Sequence, residues 1–158
     1  MNLIRHILGW CGLLAISCVP VCAVPVLIGE FPLQGTLNNN VSGGPALGSL
    51  GGQISSTGYV FGVNQGLSFT SSALTPASYS VELSFSTNLD STHAWSKLVD
   101  FAGQSRDEGL YIYHSGGYKL QFYSPATASV ADFTTGATFD VILTRDGTSG
   151  LVTGYVNG

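Results

Sequence analysis

Cysteine is absent beyond residue 22: Cys11, Cys18 and Cys22 are the only three, all within the first two dozen residues. Once that segment is removed, the rest of the chain can build neither a disulfide framework nor a thiolate metal site. Charge is scarce as well. Asp, Glu, Lys and Arg together make up 9% of the residues, where roughly a quarter is usual. Beyond residue 23 only Lys97, Arg106, Lys119 and Arg145 are basic, and they face nine carboxylates. With no basic stripe, nucleic acid and anionic membrane surfaces are poor candidates for partners. A sustained helical period is also missing. Gly, Ser and Thr take the place of Lys and Glu, which favours strands and turns over helices. Composition therefore predicts an all-β protein.

The N-terminus carries what an export signal needs. Arg5 supplies the positive charge, and Ile7 to Ile16 form a short apolar run with Trp10, Leu13, Leu14 and Ala15. Val21-Cys22-Ala23 places small residues at the −3 and −1 positions of a cleavage site. The apolar run is too short to span a bilayer, which takes roughly 20 residues, and Pro20 breaks it. Stable membrane insertion after cleavage is therefore not expected. A buried core helix is the bland alternative. A lipoprotein signal is a further one, but neither Cys18 nor Cys22 follows the Leu and small-residue pair that such signals use. The reading is a signal peptide over 1–23 and one domain over 24–158, secreted to the extracellular space or cell surface, with the periplasm also open. An exported domain without disulfides points to a bacterial source.

Strand signals follow along the chain. Val24 to Leu33 is apolar, with Pro25 and Pro32 against a helix, and reads as an edge strand. Gln34 to Gly58 is rich in Gly, Asn and Ser and reads as turns around a short strand or two. Tyr59-Val60-Phe61 and Leu67-Ser68-Phe69 read as short strands joined through Gly62 to Gly66. Tyr79, Val81, Leu83 and Phe85 alternate with Ser80, Glu82, Ser84 and Ser86, the period of a strand with one buried face. Lys97 to Phe101 reads as another strand. Leu110 to Tyr113 and Tyr118 to Tyr123 flank His114-Ser115-Gly116-Gly117, which is hairpin chemistry. Phe139 to Arg145 and Leu151 to Val156 flank Asp146 to Gly150, a second hairpin. This spacing predicts an antiparallel β-sandwich. The sequence stops at Asn157-Gly158, a pair that normally opens a turn. Because sheet edges need pairing or protection, the expectation is a C-terminally incomplete domain.

A resemblance rests on several motifs in order. Trp95-Ser96-Lys97-Leu98-Val99-Asp100-Phe101, Gly109-Leu110-Tyr111-Ile112-Tyr113 and Leu120-Gln121-Phe122-Tyr123 come first. Val141-Ile142-Leu143-Thr144-Arg145-Asp146-Gly147 and Thr153-Gly154-Tyr155-Val156-Asn157-Gly158 follow. Upstream stand Phe31-Pro32-Leu33-Gln34-Gly35-Thr36-Leu37-Asn38-Asn39 and Gly66-Leu67-Ser68-Phe69. Together they resemble the laminin-G-like, concanavalin-A-like jelly-roll domains of bacterial secreted proteins, which often end in a Pro-Glu-Pro sorting segment. No such segment occurs in this sequence, nor do the family's last strands. The resemblance implies a jelly-roll β-sandwich that binds glycan or extracellular protein, with calcium as a candidate ion. Asp90, Asp100, Asp107 and loop carbonyls are its candidate ligands.

Catalytic patterns are thin. The Glu-x-Asp-x-x-Glu strand of the family's glucanase branch does not occur, and Asp107-Glu108 would point to opposite faces of a strand. There is no Gly-x-Ser-x-Gly elbow, and His93 and His114 stand without local partners. Two scattered histidines do not make a zinc site, and Gly43-Gly44-Pro45-Ala46-Leu47-Gly48 lacks the context of a phosphate loop. Asn40-Val41-Ser42 fits a glycosylation sequon, relevant only in a eukaryotic host. Aromatics are the remaining binding chemistry, since sugar rings stack their apolar faces on them. If Leu110 and Ile112 point inward, Tyr111 and Tyr113 share the outward face, with Trp95 in a nearby loop and Arg106 and Asp107 as polar contacts. The bland alternative is that the tyrosines pad a second layer. The expectation is a non-enzymatic binding module. A structural or adhesion protein and a diverged glycoside hydrolase are the alternatives.

Overall fold

The computed structural model describes residues 24–75, 77–88, 94–114, 117–123 and 134–157. The expected signal peptide, residues 1–23 with the three cysteines, lies outside the described residues, as do Asp90 and His93. Among the described residues there is no helix, and every sheet is antiparallel.

The N-terminal part holds four two-residue strands: β1 (Gly48–Ser49), β2 (Gln53–Ile54), β3 (Tyr59–Val60) and β4 (Leu67–Ser68). β1 pairs with β4 and β2 with β3, so the runs near Tyr59 and Leu67 each pair with an upstream partner. The expected strand over Val24 to Leu33 is not formed. Pro25 and Pro32 offer no N–H, and Leu33 at φ 58° ends any extended run. The Asn39 side chain then takes the polar groups a neighbouring strand would have taken. Its Oδ1 accepts from the Glu30 and Val41 N–H groups, each at 3.0 Å. Its Nδ2 donates to the Ile28 and Pro45 carbonyls at 3.1 and 3.2 Å. An amide side chain offers two donors and an acceptor oxygen, and here all of them tie one loop together.

The alternating run forms β5 (Tyr79–Ser86). β6 (Trp95–Asp100), β7 (Gly109–His114), β8 (Tyr118–Tyr123), β9 (Thr138–Arg145) and β10 (Val152–Val156) follow. One sheet runs β10-β9-β5 and the other β6-β7-β8. The long ladder pairs β5 with β9 over eight positions, from Tyr79 opposite Arg145 to Ser86 opposite Thr138. Leu110 and Ile112 of β7, Leu120 of β8, and Phe139, Val141 and Leu143 of β9 form one buried cluster, with Val141 fully excluded from solvent. Burying each such side chain contributes roughly 1.5–3 kcal/mol. Two sheets sharing one core in this way are consistent with a β-sandwich.

Two features position the opposite face of β6-β7-β8. β6 starts at Trp95, opposite Tyr113, so Trp95 belongs to the sheet and not to the loop expected for it. The register then shifts between Lys97 and Val99, leaving Leu98 as the extra residue of a β-bulge. Gly109 lies across from this irregularity at φ 155°, and a Cβ there would run into the Val99 carbonyl oxygen. A side chain is thus excluded at this point of the outer face.

Candidate ligand-binding face

Alternation along three strands puts Trp95, Lys97, Tyr111, Tyr113, Lys119, Gln121 and Tyr123 on the outer face, away from the core. They form rows across the sheet. Trp95, Tyr113 and Lys119 are consecutive cross-strand partners, as are Lys97, Tyr111 and Gln121. Tyr123 lies opposite Gly109 in the next row.

Tyr111 is the floor of this face, only 6% exposed. Three groups roof it. The Trp95 ring meets it edge-on at 5.7 Å, and Tyr123 meets it edge-on at 6.3 Å. The Lys97 ammonium stands 5.2 Å from its ring centroid, within cation–π range. Trp95 also lies against Tyr113 at 4.1 Å and approaches Tyr123 at 6.0 Å. Trp95 and Tyr123 remain 42% and 43% exposed. An indole and a phenol ring thus open to solvent above a buried third ring.

Polar groups fasten one side. The Tyr111 hydroxyl donates to Asp107 Oδ1 at 3.3 Å. Lys97 Nζ stands 3.5 Å from Asp100 and 3.9 Å from Asp107. A side-chain hydrogen bond with Tyr111, aided by the charge of Asp100, holds the Lys97 ammonium protonated above its ordinary range. Burial by itself would raise the Asp100 carboxyl. The N–H groups of Ala102 and Gln104, which donate to its two oxygens, and the nearby Lys97 outweigh that and lower it. Asp100 thereby anchors the 101–108 bend beside the aromatic face.

Of the five residues expected from the sequence, Trp95, Tyr111, Tyr113 and Asp107 come together. Arg106 turns to Glu108, with Nη2 2.6 Å from Oε2, and is mostly exposed in the bend. Tyr111 faces outward as expected, but its ring is covered, so it supports the open rings instead of offering a surface of its own. Tyr123, Lys97 and Lys119 were missed by sequence reasoning. The alternation Tyr118 to Tyr123 carried the signal for Tyr123, since Leu120 and Phe122 facing the core leave Lys119, Gln121 and Tyr123 outside.

Calcium does not fit the carboxylates brought together here. Asp100 has both oxygens occupied by main-chain N–H groups, and the Lys97 ammonium lies close to both Asp100 and Asp107. A second cation would meet that positive charge. Among the described residues, no three His, Cys, Asp or Glu side chains gather into a metal-binding group.

Comparison with protein-family models, with curated proteins and with solved structures finds no match, so the geometry of the face is the basis for its reading.

Proposed function

We propose that this chain is an exported binding module of laminin-G-like, concanavalin-A-like jelly-roll type that holds glycan on the outer face of β6-β7-β8. The observation that carries this reading is the pair of half-exposed rings, Trp95 and Tyr123, held above the buried Tyr111. A pyranose presents C–H groups on one face and hydroxyls around its rim. The C–H face gains by covering an open aromatic ring, while Gln121 on the same sheet face supplies a polar partner for the rim. The surface is a sheet face, which suits an extended chain more than a small enclosed ligand. Binding is by contact alone. The nearby carboxylates Asp100 and Asp107 are engaged with main-chain N–H groups, Lys97 and Tyr111. No catalytic step is assigned to them, and the mechanism needs no calcium.

The export motif at the N-terminus and the low charge support action outside the cytoplasm, at the cell surface, in the extracellular space or in the periplasm. The test is a polysaccharide panel screened with the wild type and with Trp95→Ala. Saturable binding that the substitution abolishes supports the reading. A folded protein that binds no member of the panel rejects it, leaving the aromatic cluster as sheet packing in a structural or adhesion protein.

A further inference from the structure

Resting on that reading, we infer that the preferred ligand is an anionic saccharide, and that Lys119 is the residue that selects it. Two of the positive charges near the face are already neutralised. Lys97 lies between Asp100 and Asp107, and Arg106 is paired with Glu108. Lys119 also belongs to the outer face, and among the described residues no carboxylate lies within ion-pair distance of it. The chain as a whole carries a formal charge of −4. An ammonium on the aromatic face with no carboxylate partner among the described residues is therefore not a product of general basicity.

Its place in the sheet gives the charge a use. Trp95, Tyr113 and Lys119 occupy adjacent positions on three neighbouring strands. Neighbouring strands are about 4.8 Å apart, so Lys119 lies two strands from Trp95, and a sugar ring resting on the open side of Trp95 ends short of it. An acidic substituent lying roughly in the plane of such a ring, a carboxylate or a sulfate ester, extends toward that ammonium. A neutral sugar leaves the ammonium in water and gains nothing from it. Lysine, as a compact point charge with rotatable donors, accepts either acidic group.

The experiment compares three soluble polysaccharides: a neutral glucan, a polyuronate and a sulfated glucan. Each is titrated against the wild type, Lys119→Gln and Lys119→Arg at low and at high salt. The expected result is tighter binding of at least one acidic polymer than of the neutral one, by roughly three- to tenfold at low salt, as for a charge-assisted contact on a partly exposed surface. High salt shrinks that margin. Lys119→Gln removes it while leaving neutral-polymer affinity unchanged, and Lys119→Arg keeps it. The polymer with the larger margin identifies the acidic group. Equal affinity for all three, or an acidic preference that survives Lys119→Gln, overturns the inference and leaves the glycan reading standing. Absence of binding to every polymer overturns both.

Discussion

Trp95 and Tyr113 face each other across β6 and β7 with ring centroids 4.1 Å apart and planes inclined by 31°. The pair has two possible duties, bracing the sheet and receiving a ligand, and the open side of Trp95 separates them. A ring that is 42% exposed has a free face left after its packing is complete.

Trp95→Ala is therefore expected to cost little stability and much binding. Loss of the aromatic pair costs about 0.5–1.5 kcal/mol, with some lost burial added. Urea unfolding measures the first quantity, and polysaccharide titration the second. A loss above about 4 kcal/mol would mark Trp95 as a core residue and favour the packing role.

Leu143→Ala probes the shared core from the other sheet. Leu143 is 2% exposed and lies opposite Val81 on one side and Gly154 on the other. The expected loss is about 2–5 kcal/mol, read from the urea midpoint at unchanged slope.

Gly109→Ala tests the bulge. The new Cβ meets the Val99 carbonyl oxygen, a main-chain atom that can yield only if β6 moves. Gly154→Ala is the control, since its Cβ would meet only the flexible end of Leu120, at 3.2 Å. Gly109→Ala is expected to destabilise by more than about 1 kcal/mol and Gly154→Ala by clearly less, both followed by thermal unfolding.

The charged edge of the face gives a pH dependence with a definite sign. The Asp100 carboxyl titrates below its ordinary value. Its contribution is thus present above the unfolded value of roughly 3.9 and is lost as pH falls through the lower folded one. Lys97 titrates above its ordinary value, so its contribution is full below roughly 10.4 and is lost as pH rises through the higher folded value. Asp100→Asn is expected to cost about 1–2 kcal/mol at pH 7, and the gap from wild type should narrow as pH drops from about 5 to 2. Urea midpoints across that range check it, and a constant gap contradicts it.

How the sequence relates to this structure depends on the element. β5 was legible because its period of two runs unbroken from Tyr79 to Ser86, and the burial pattern alternates in step. The two hairpins were legible because turn residues punctuate them: Asp146 accepts from the Thr148 and Ser149 N–H groups within the second turn. The pairing of β5 with β9 was not legible, because ladder register between distant segments leaves no local mark. Trp95 was misplaced for a related reason. The bulge at Leu98 breaks the alternation of β6, so Trp95 and Lys97 share a face while Leu98 and Val99 both pack against the core. The expected first strand failed because one side chain, Asn39, competes for its main-chain groups. Nothing in Asn38-Asn39-Asn40 tells which of the three asparagines does this. Asn39→Ala should accordingly raise hydrogen exchange in residues 28–45 and leave protection of β5 and β9 unchanged.

A glycan that settles on Trp95 is reported by Trp95 itself. The chain has two tryptophans, Trp10 and Trp95, so a Trp10→Phe chain leaves Trp95 as the only indole. Its emission is to be followed while a polysaccharide panel is titrated in. The expected result is a saturable shift or quench with at least one polymer, absent in Tyr123→Ala or strongly weakened there. Unchanged emission with every polymer, from a protein shown to be folded, would contradict it.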